Sequence, residues 1–361
     1  MTRVPGVRQT ILCLGVALLL PACSLLKRAP APAPAAPVEA SKPETPQMTP
    51  KMAADIELLI KVAQTRERLY QVAAPLLINN ADLCKSYSRN LLGFTAQNKY
   101  SYPGDLVDAA QLGLGMGDRL QVTSVLAGSG AARAGLRRGD QLVAAEGRPL
   151  PTGPNAESVA GGVLGPLAAS MPALRMSIVR NGDAQQIQLP VTRACAFRVE
   201  LGNADNANTY IDGNRILITR GLMLMAETEA ELAFLIAHDM AHNILGHPGL
   251  QRTTSTAAGM IDNLQSLRPD TSMLIGTGGL RPMPEKFDSA ADALAIYLLA
   301  RAGIKPDGMA RFFKTLGENY PESVMNGYTH FHPWTASRAR ALDSALAELK
   351  TKQAAAKPLL P

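Results

Sequence analysis

The stretch "ETEAELAFLIAHDMAHNILGH", Glu227–His247, constrains this chain more than any other. Thr228 and Glu231 have the spacing of a capping box, and the apolar run behind them predicts a helix to Leu245, stopped by Gly246 and kept from resuming by Pro248. His238 and His242 lie four apart, about 40° from each other around a helix, so both rings can reach one tetrahedral ion while Asp239 between them reaches a water on it. All five histidines of the chain fall between residues 238 and 332. The alternative is a pair of solvated or core histidines that share a helical spacing by chance.

With 361 residues, 47% hydrophobic and 18% charged, the chain is long enough for two domains with real cores. The net charge of +6 is spread without a basic block, and aromatic residues make up only 4%. Neither a phosphate-tracking stripe nor a base-stacking platform is visible, so no nucleic acid is expected as partner. Arg3 and Arg8, an apolar run from Ile11 to Leu20 and then "LPAC" read as an export signal over residues 1–22, too short to span a bilayer. "LPAC" resembles the lipobox of bacterial lipoproteins, which implies a lipidated Cys23 anchored in the bilayer, the alternative being a plain secretory signal. Ser24 implies the outer membrane, with the protein facing the periplasm. Residues 27–50, with seven prolines, read as a tether of up to roughly 75 Å in polyproline geometry, so anchor and linker together span 23–50. Of four cysteines, Cys13 lies in the signal and Cys23 is the anchor. Cys84 and Cys195 remain, and a disulfide between them is expected in an oxidising compartment, the alternative being two buried free thiols.

Three- and four-residue spacing of Met52, Ile56, Leu59 and Ala63 predicts a helix from Lys51 to about Ala74, closed or kinked by Pro75. Residues 112–192 have a different texture. A strand at Leu120–Val125, "AGLRRGD", a helix near Glu157–Ala169 and a strand pair joined by Asn181-Gly182 resemble a PDZ domain. The resemblance implies a C-terminal peptide as ligand, with "LGLGMG", Leu112–Gly117, offering backbone N–H groups to its carboxylate; the same loop reads equally as a flexible junction.

After Cys195, "NANTYIDGNRILITRGLM" reads as strand, Asp-Gly turn, strand. Residues 252–282 carry few signals. Further helices are expected from Pro284 to Gly303, over Asp307–Leu316 and over Thr335–Lys350. In order and spacing, "NANTYIDGNRILITRGLM", "ETEAELAFLIAHDMAHNILGH", "FDSAADALAIYLLARAG" and "HPWTASRARAL" resemble the zinc metallopeptidases of the HtpX and CAAX-prenyl-protease type, including the BepA-like periplasmic members. The resemblance implies an α+β fold: a mostly helical zincin-type domain with a small edge sheet, built from 51–111 and 193–350, interrupted by the PDZ-like domain and followed by a tail at 351–361. It implies one zinc per chain on His238, His242 and Asp288, with Glu285 the competing third ligand, and Asp292 orienting a ligand histidine. His332 and Arg338 match the family's "HP…R" element, near the active site, where they would stabilise an oxyanion or orient the carboxylates. Asn206, Ala207 and Asn208 fall on the strand that would align protein or peptide substrates. His247, roughly 140° around the helix from His242, is not expected on the same metal.

Both catalytic glutamates of that family are aspartates here, Asp239 and Asp288. The expected chemistry is a metalloendopeptidase in which zinc acidifies a water and Asp239 takes its proton. The competing reading is a degenerate peptidase that binds client peptides without cleaving them.

Overall fold

The computed structural model describes residues 48–250, 254–274, 283–319 and 334–361. The expected signal, Cys23 and nearly all of the tether lie outside these, as does His332.

Thr49 opens the first long helix by accepting Met52 N–H at 3.1 Å, and Pro50 stands at the start, where a missing N–H costs nothing. The helix runs Pro50–Asn79, straight past Pro75. Ala73, Leu76 and Leu77 on either side are buried in the main core, and that burial outweighs the roughly 3 kcal/mol local cost of an interior proline. Of the two outcomes expected at Pro75, closing or kinking the helix, tertiary packing removes the first.

The chain then leaves the main body through a neck. Strands Ser88–Leu91 and Thr192–Cys195 pair antiparallel, with Ser88 opposite Cys195. Cys84 and Cys195 are bonded at its root, Cα to Cα 5.5 Å, and both are fully buried. Between the neck strands lies a sheet-rich body. Its main strands, in spatial order, are Phe94–Gln97, Gln121–Val125, Gln141–Ala145, Ala173–Arg180 and Asp183–Pro190. Helix Ala156–Ser170 covers the sheet, packing Ala156, Ala160, Leu164 and Leu167 with Leu142, Leu174, Met176 and Ile178. Asn181 and Gly182, at φ 53° and 92°, form the turn between the last two strands, the positive-φ pair that a two-residue hairpin needs.

"LGLGMG" is not an open loop. Leu112–Leu114 finish a helix, Val107–Leu114; Gly115, at φ 65°, caps it, and the N–H groups of Gly115 and Met116 both turn to Ala110 O. Met116 is buried against Leu59 of the first helix. Donors expected for a peptide carboxylate are thus used to end a helix. The sheet-rich body also takes a strand, Phe94–Gln97, from ahead of Leu112, because four residues are too few to show alternation.

The main body places a three-stranded sheet, in the order Thr209–Ile211, Arg215–Thr219, Arg198–Gly202, beside a helical core. Helices Pro50–Asn79, Glu229–Ile244, Glu285–Arg301, Met309–Asn319 and Ala336–Ala354 contribute to that core, so the fold is α+β as expected. A helix the sequence did not announce, Thr254–Leu264, packs Met260, Ile261 and Leu264 on Tyr210 and Leu217. Among the described residues no helix is long and apolar enough to cross a membrane.

Candidate metal centre

The capping box forms as spaced: Thr228 Oγ1 accepts Glu231 N–H at 3.1 Å, and Glu231 Oε2 accepts Thr228 N–H at 3.0 Å. From there every residue from Leu232 to Asn243 is buried. A helix apolar almost all round belongs inside a core. It carries His238, Asp239 and His242 inside with it, and helix Glu285–Arg301 packs alongside to supply Asp288 and Asp292.

His238 Nε2 and His242 Nε2 lie 3.1 Å apart, and Asp288 Oδ1 is 3.3 Å from His242 Nε2. All three side chains offer ligand atoms within 4.8 Å of one another. Tetrahedral ligands at about 2.05 Å from zinc stand about 3.4 Å apart, so the donor set fits that ion. The tautomers agree. His238 Nδ1 lies 2.9 Å from Asp292 Oδ1, so a proton on Nδ1 would face that carboxylate and leave Nε2 as the metal-facing atom. Two ring nitrogens at 3.1 Å, with a carboxylate beside them, suit a shared cation.

Glu285, by contrast, is exposed, while Asp288 is 1% exposed. Asp288→Ala should weaken zinc binding by more than the roughly 10–100-fold typical of losing an outer partner, and Glu285→Ala should leave it unchanged. Competition with a coloured chelator measures both; the reverse order would move the third ligand to Glu285.

Arg338, fully buried, grips Asp292 with two hydrogen bonds, Nε to Oδ2 at 2.7 Å and an η-nitrogen to Oδ1 at 2.8 Å. Burial disfavours its charge, but the bonds and pairing with Asp292, aided by Asp288, outweigh that and raise its pKa. Its guanidinium also faces the rings of Phe313 and Trp334, 5.1 and 5.6 Å away. Of the two roles the sequence left open, this geometry is that of orienting a carboxylate: Arg338 holds Asp292, and Asp292 holds His238.

Asp239 is 1% exposed, on the same helix as both histidines. Asn243, one residue past His242, accepts Gly213 N–H at 3.0 Å and donates to Arg215 O at 3.2 Å, pinning this helix to the Asp212–Arg215 turn of the small sheet. Nothing in the sequence marked it. Asn206, Ala207 and Asn208 precede the edge strand, which begins at Thr209. Thr219 ties this loop down: its hydroxyl hydrogen-bonds the carbonyl oxygens of Asn206 and Asn208, and its N–H donates to Asn208 O at 3.1 Å. The strand at this edge of the sheet is therefore Thr209–Ile211. A cavity of about 710 Å³ lies apart from the cluster, lined by residues including Arg66, Tyr70, Thr95 and Glu200.

Two histidines and a carboxylate around one point are a donor set that could hold a metal ion, and zinc accepts all three ligand types. Residues 174–346 match Peptidase family M48. The M48 match begins inside the sheet-rich body and takes in His238, Asp239, His242, Asp288, Asp292 and Arg338. Two curated relatives are similar at low identity. The chain is 26% identical over 153 residues to Mitochondrial metalloendopeptidase OMA1 of Schizosaccharomyces pombe, covering 40% of this chain and 44% of that protein. It is 25% identical over 154 residues to the protein of the same name in Arabidopsis thaliana, covering 42% and 32%. The match thus spans less than half of either relative. Among solved structures, a crystal structure of the HtrA3 PDZ domain bound to a phage-derived ligand matches 29% of this chain and 88% of its own, at 19% identity and a TM-score of 0.22.

Proposed function

We propose that the chain is a zinc metalloendopeptidase that hydrolyses peptide bonds of protein substrates. The observation that carries this is the convergence of His238 Nε2, His242 Nε2 and Asp288 Oδ1 beside Asp239. When bound, zinc supplies Lewis acidity that polarises a carbonyl and acidifies a water. The chain's own residues do the rest. Asp239 takes the proton from that water and returns it to the leaving amine. Asp292, fixed by Arg338, keeps the His238 proton on Nδ1 and so its lone pair on Nε2. Thr209–Ile211, the strand at the sheet edge, aligns an extended substrate by backbone pairing, which suits a loose sequence preference.

The setting we propose is the bacterial envelope, with Cys23 lipidated, the tether reaching from the outer membrane and the protein facing the periplasm. The N-terminal sequence and the disulfide, a bond suited to an oxidising compartment, support this. The type we propose is that of the HtpX and BepA-like metallopeptidases, with a PDZ-like body inserted, acting on envelope or misfolded proteins; the four ordered sequence segments support it. A second reading is favoured by the two aspartates: a site that keeps its metal but, with a shortened base, binds clients without cutting them.

Incubation of the purified chain with an unfolded protein separates the two. Cleavage that a zinc chelator stops and added zinc restores supports the peptidase. Stoichiometric zinc with no cleavage supports the binding module.

A further inference from the structure

His247 was set apart from the metal by the helical wheel, but the helix ends at Ile244, and Gly246, at φ 72°, turns the chain back. His247 thereby comes to lie beneath His242. It is 6% exposed, its Nδ1 is 2.9 Å from His242 Nδ1, and the two rings meet edge to face with centroids 4.9 Å apart. Its other side stacks flat on Phe287, centroids 4.2 Å apart and planes within 7°. Phe287 immediately precedes Asp288.

We infer that His247 is the positioning residue for His242: it accepts the His242 Nδ1 proton and, through its stack on Phe287, sets that ligand against the helix that bears Asp288. The inference rests on the metal-centre reading above. The chemistry follows from proton counting. A histidine that gives its Nε2 lone pair to a metal is neutral and carries its proton on Nδ1, and a buried N–H needs an acceptor. For His238 that acceptor is Asp292. For His242, His247 Nδ1 lies at hydrogen-bond distance from Nδ1 and accepts when His247 carries its own proton on Nε2. The two ligands are thus backed differently, one by a carboxylate held by arginine and the other by a neutral imidazole. A neutral acceptor orients His242 without adding a further carboxylate to the buried Asp239, Asp288 and Asp292.

The test is cobalt binding by the full chain, read as affinity and as the visible ligand-field spectrum. His247→Phe keeps a ring to stack on Phe287 and removes the acceptor; His247→Asn places an amide oxygen close to where Nδ1 stood. His247→Phe is expected to bind cobalt about 10–100-fold more weakly, with a shifted spectrum, and His247→Asn to recover most of both. Urea unfolding of the metal-free variants, unchanged from wild type, separates this from a packing defect, and His247→Leu replaces phenylalanine if the larger ring is not accommodated. Equal affinity of wild type and His247→Phe overturns the inference, as does His247→Asn binding no better than His247→Phe. If wild type itself takes up no cobalt, the metal centre fails with it, and wild type alone shows that.

Discussion

Asp239→Asn should lower kcat for cleavage of an unfolded protein by about 10²- to 10⁴-fold while zinc content stays the same, because it removes the proton acceptor and leaves the ligands in place. Asp239→Glu should do the opposite. Asp239 shares one rigid helix with His238 and His242, so no movement of that helix brings a short base closer to the point the two rings address. Asp288 stands on a different helix, and its Oδ1 already lies 3.3 Å from His242 Nε2. Packing has adapted to aspartate at the ligand position and has no such freedom at the base position. Lengthening Asp239 by one methylene should therefore raise kcat by roughly 10-fold, on the rule that about 1 Å of misplacement costs about 100-fold. Asp288→Glu should weaken zinc binding, and the double change should be non-additive because both carboxylates address one ion. Lower cleavage by Asp239→Glu at matched zinc would mean that the base is already in place.

The second large effect concerns the neck. The bridge between Cys84 and Cys195 closes a loop of 111 residues, and in the chain-entropy account a loop of that size gives on the order of 4–5 kcal/mol. Both sulfurs sit in the main core, at the point where strands Ser88–Leu91 and Thr192–Cys195 leave it. The Cys84→Ala/Cys195→Ala chain should lose about 4 kcal/mol in urea unfolding. It should also let the sheet-rich body swing, seen as faster proteolysis between residues 85 and 94. A loss below about 1 kcal/mol would mean that strand pairing alone holds the neck. Thiols that titrate at Cys84 and Cys195 in the denatured, unreduced protein, located by peptide mapping, would remove the bridge itself.

How much of this was legible follows from the range of each signal. The capping box, the four-residue histidine spacing and the Asn181-Gly182 turn are local, and local geometry delivered all three. Asp288 and Asp292 were placed by resemblance, which carries the register of a second helix that periodicity alone does not supply. His247 stays outside the His238–His242–Asp288 group, but its contact with His242 is invisible to a helical wheel, because it is made after the helix has ended. Pro75 left two outcomes open and Leu112–Gly117 was misread, because burial against other elements, not local propensity, decides their conformation. Helix Thr254–Leu264 escaped notice because only a few apolar residues seat it on the small sheet. Asn206–Asn208 read as strand because nothing in "NANTY" announces that Thr219, eleven residues after Asn208, will bind the carbonyls of Asn206 and Asn208.

The central claim is that His238, His242 and Asp288 hold one metal ion. Titration of the metal-free full chain with zinc, followed by calorimetry, tests it most directly. One site per chain is expected, lost in His238→Ala and in Asp288→Ala, while Glu285→Ala binds as wild type does. No saturable site, or a single site that survives His238→Ala, would contradict it.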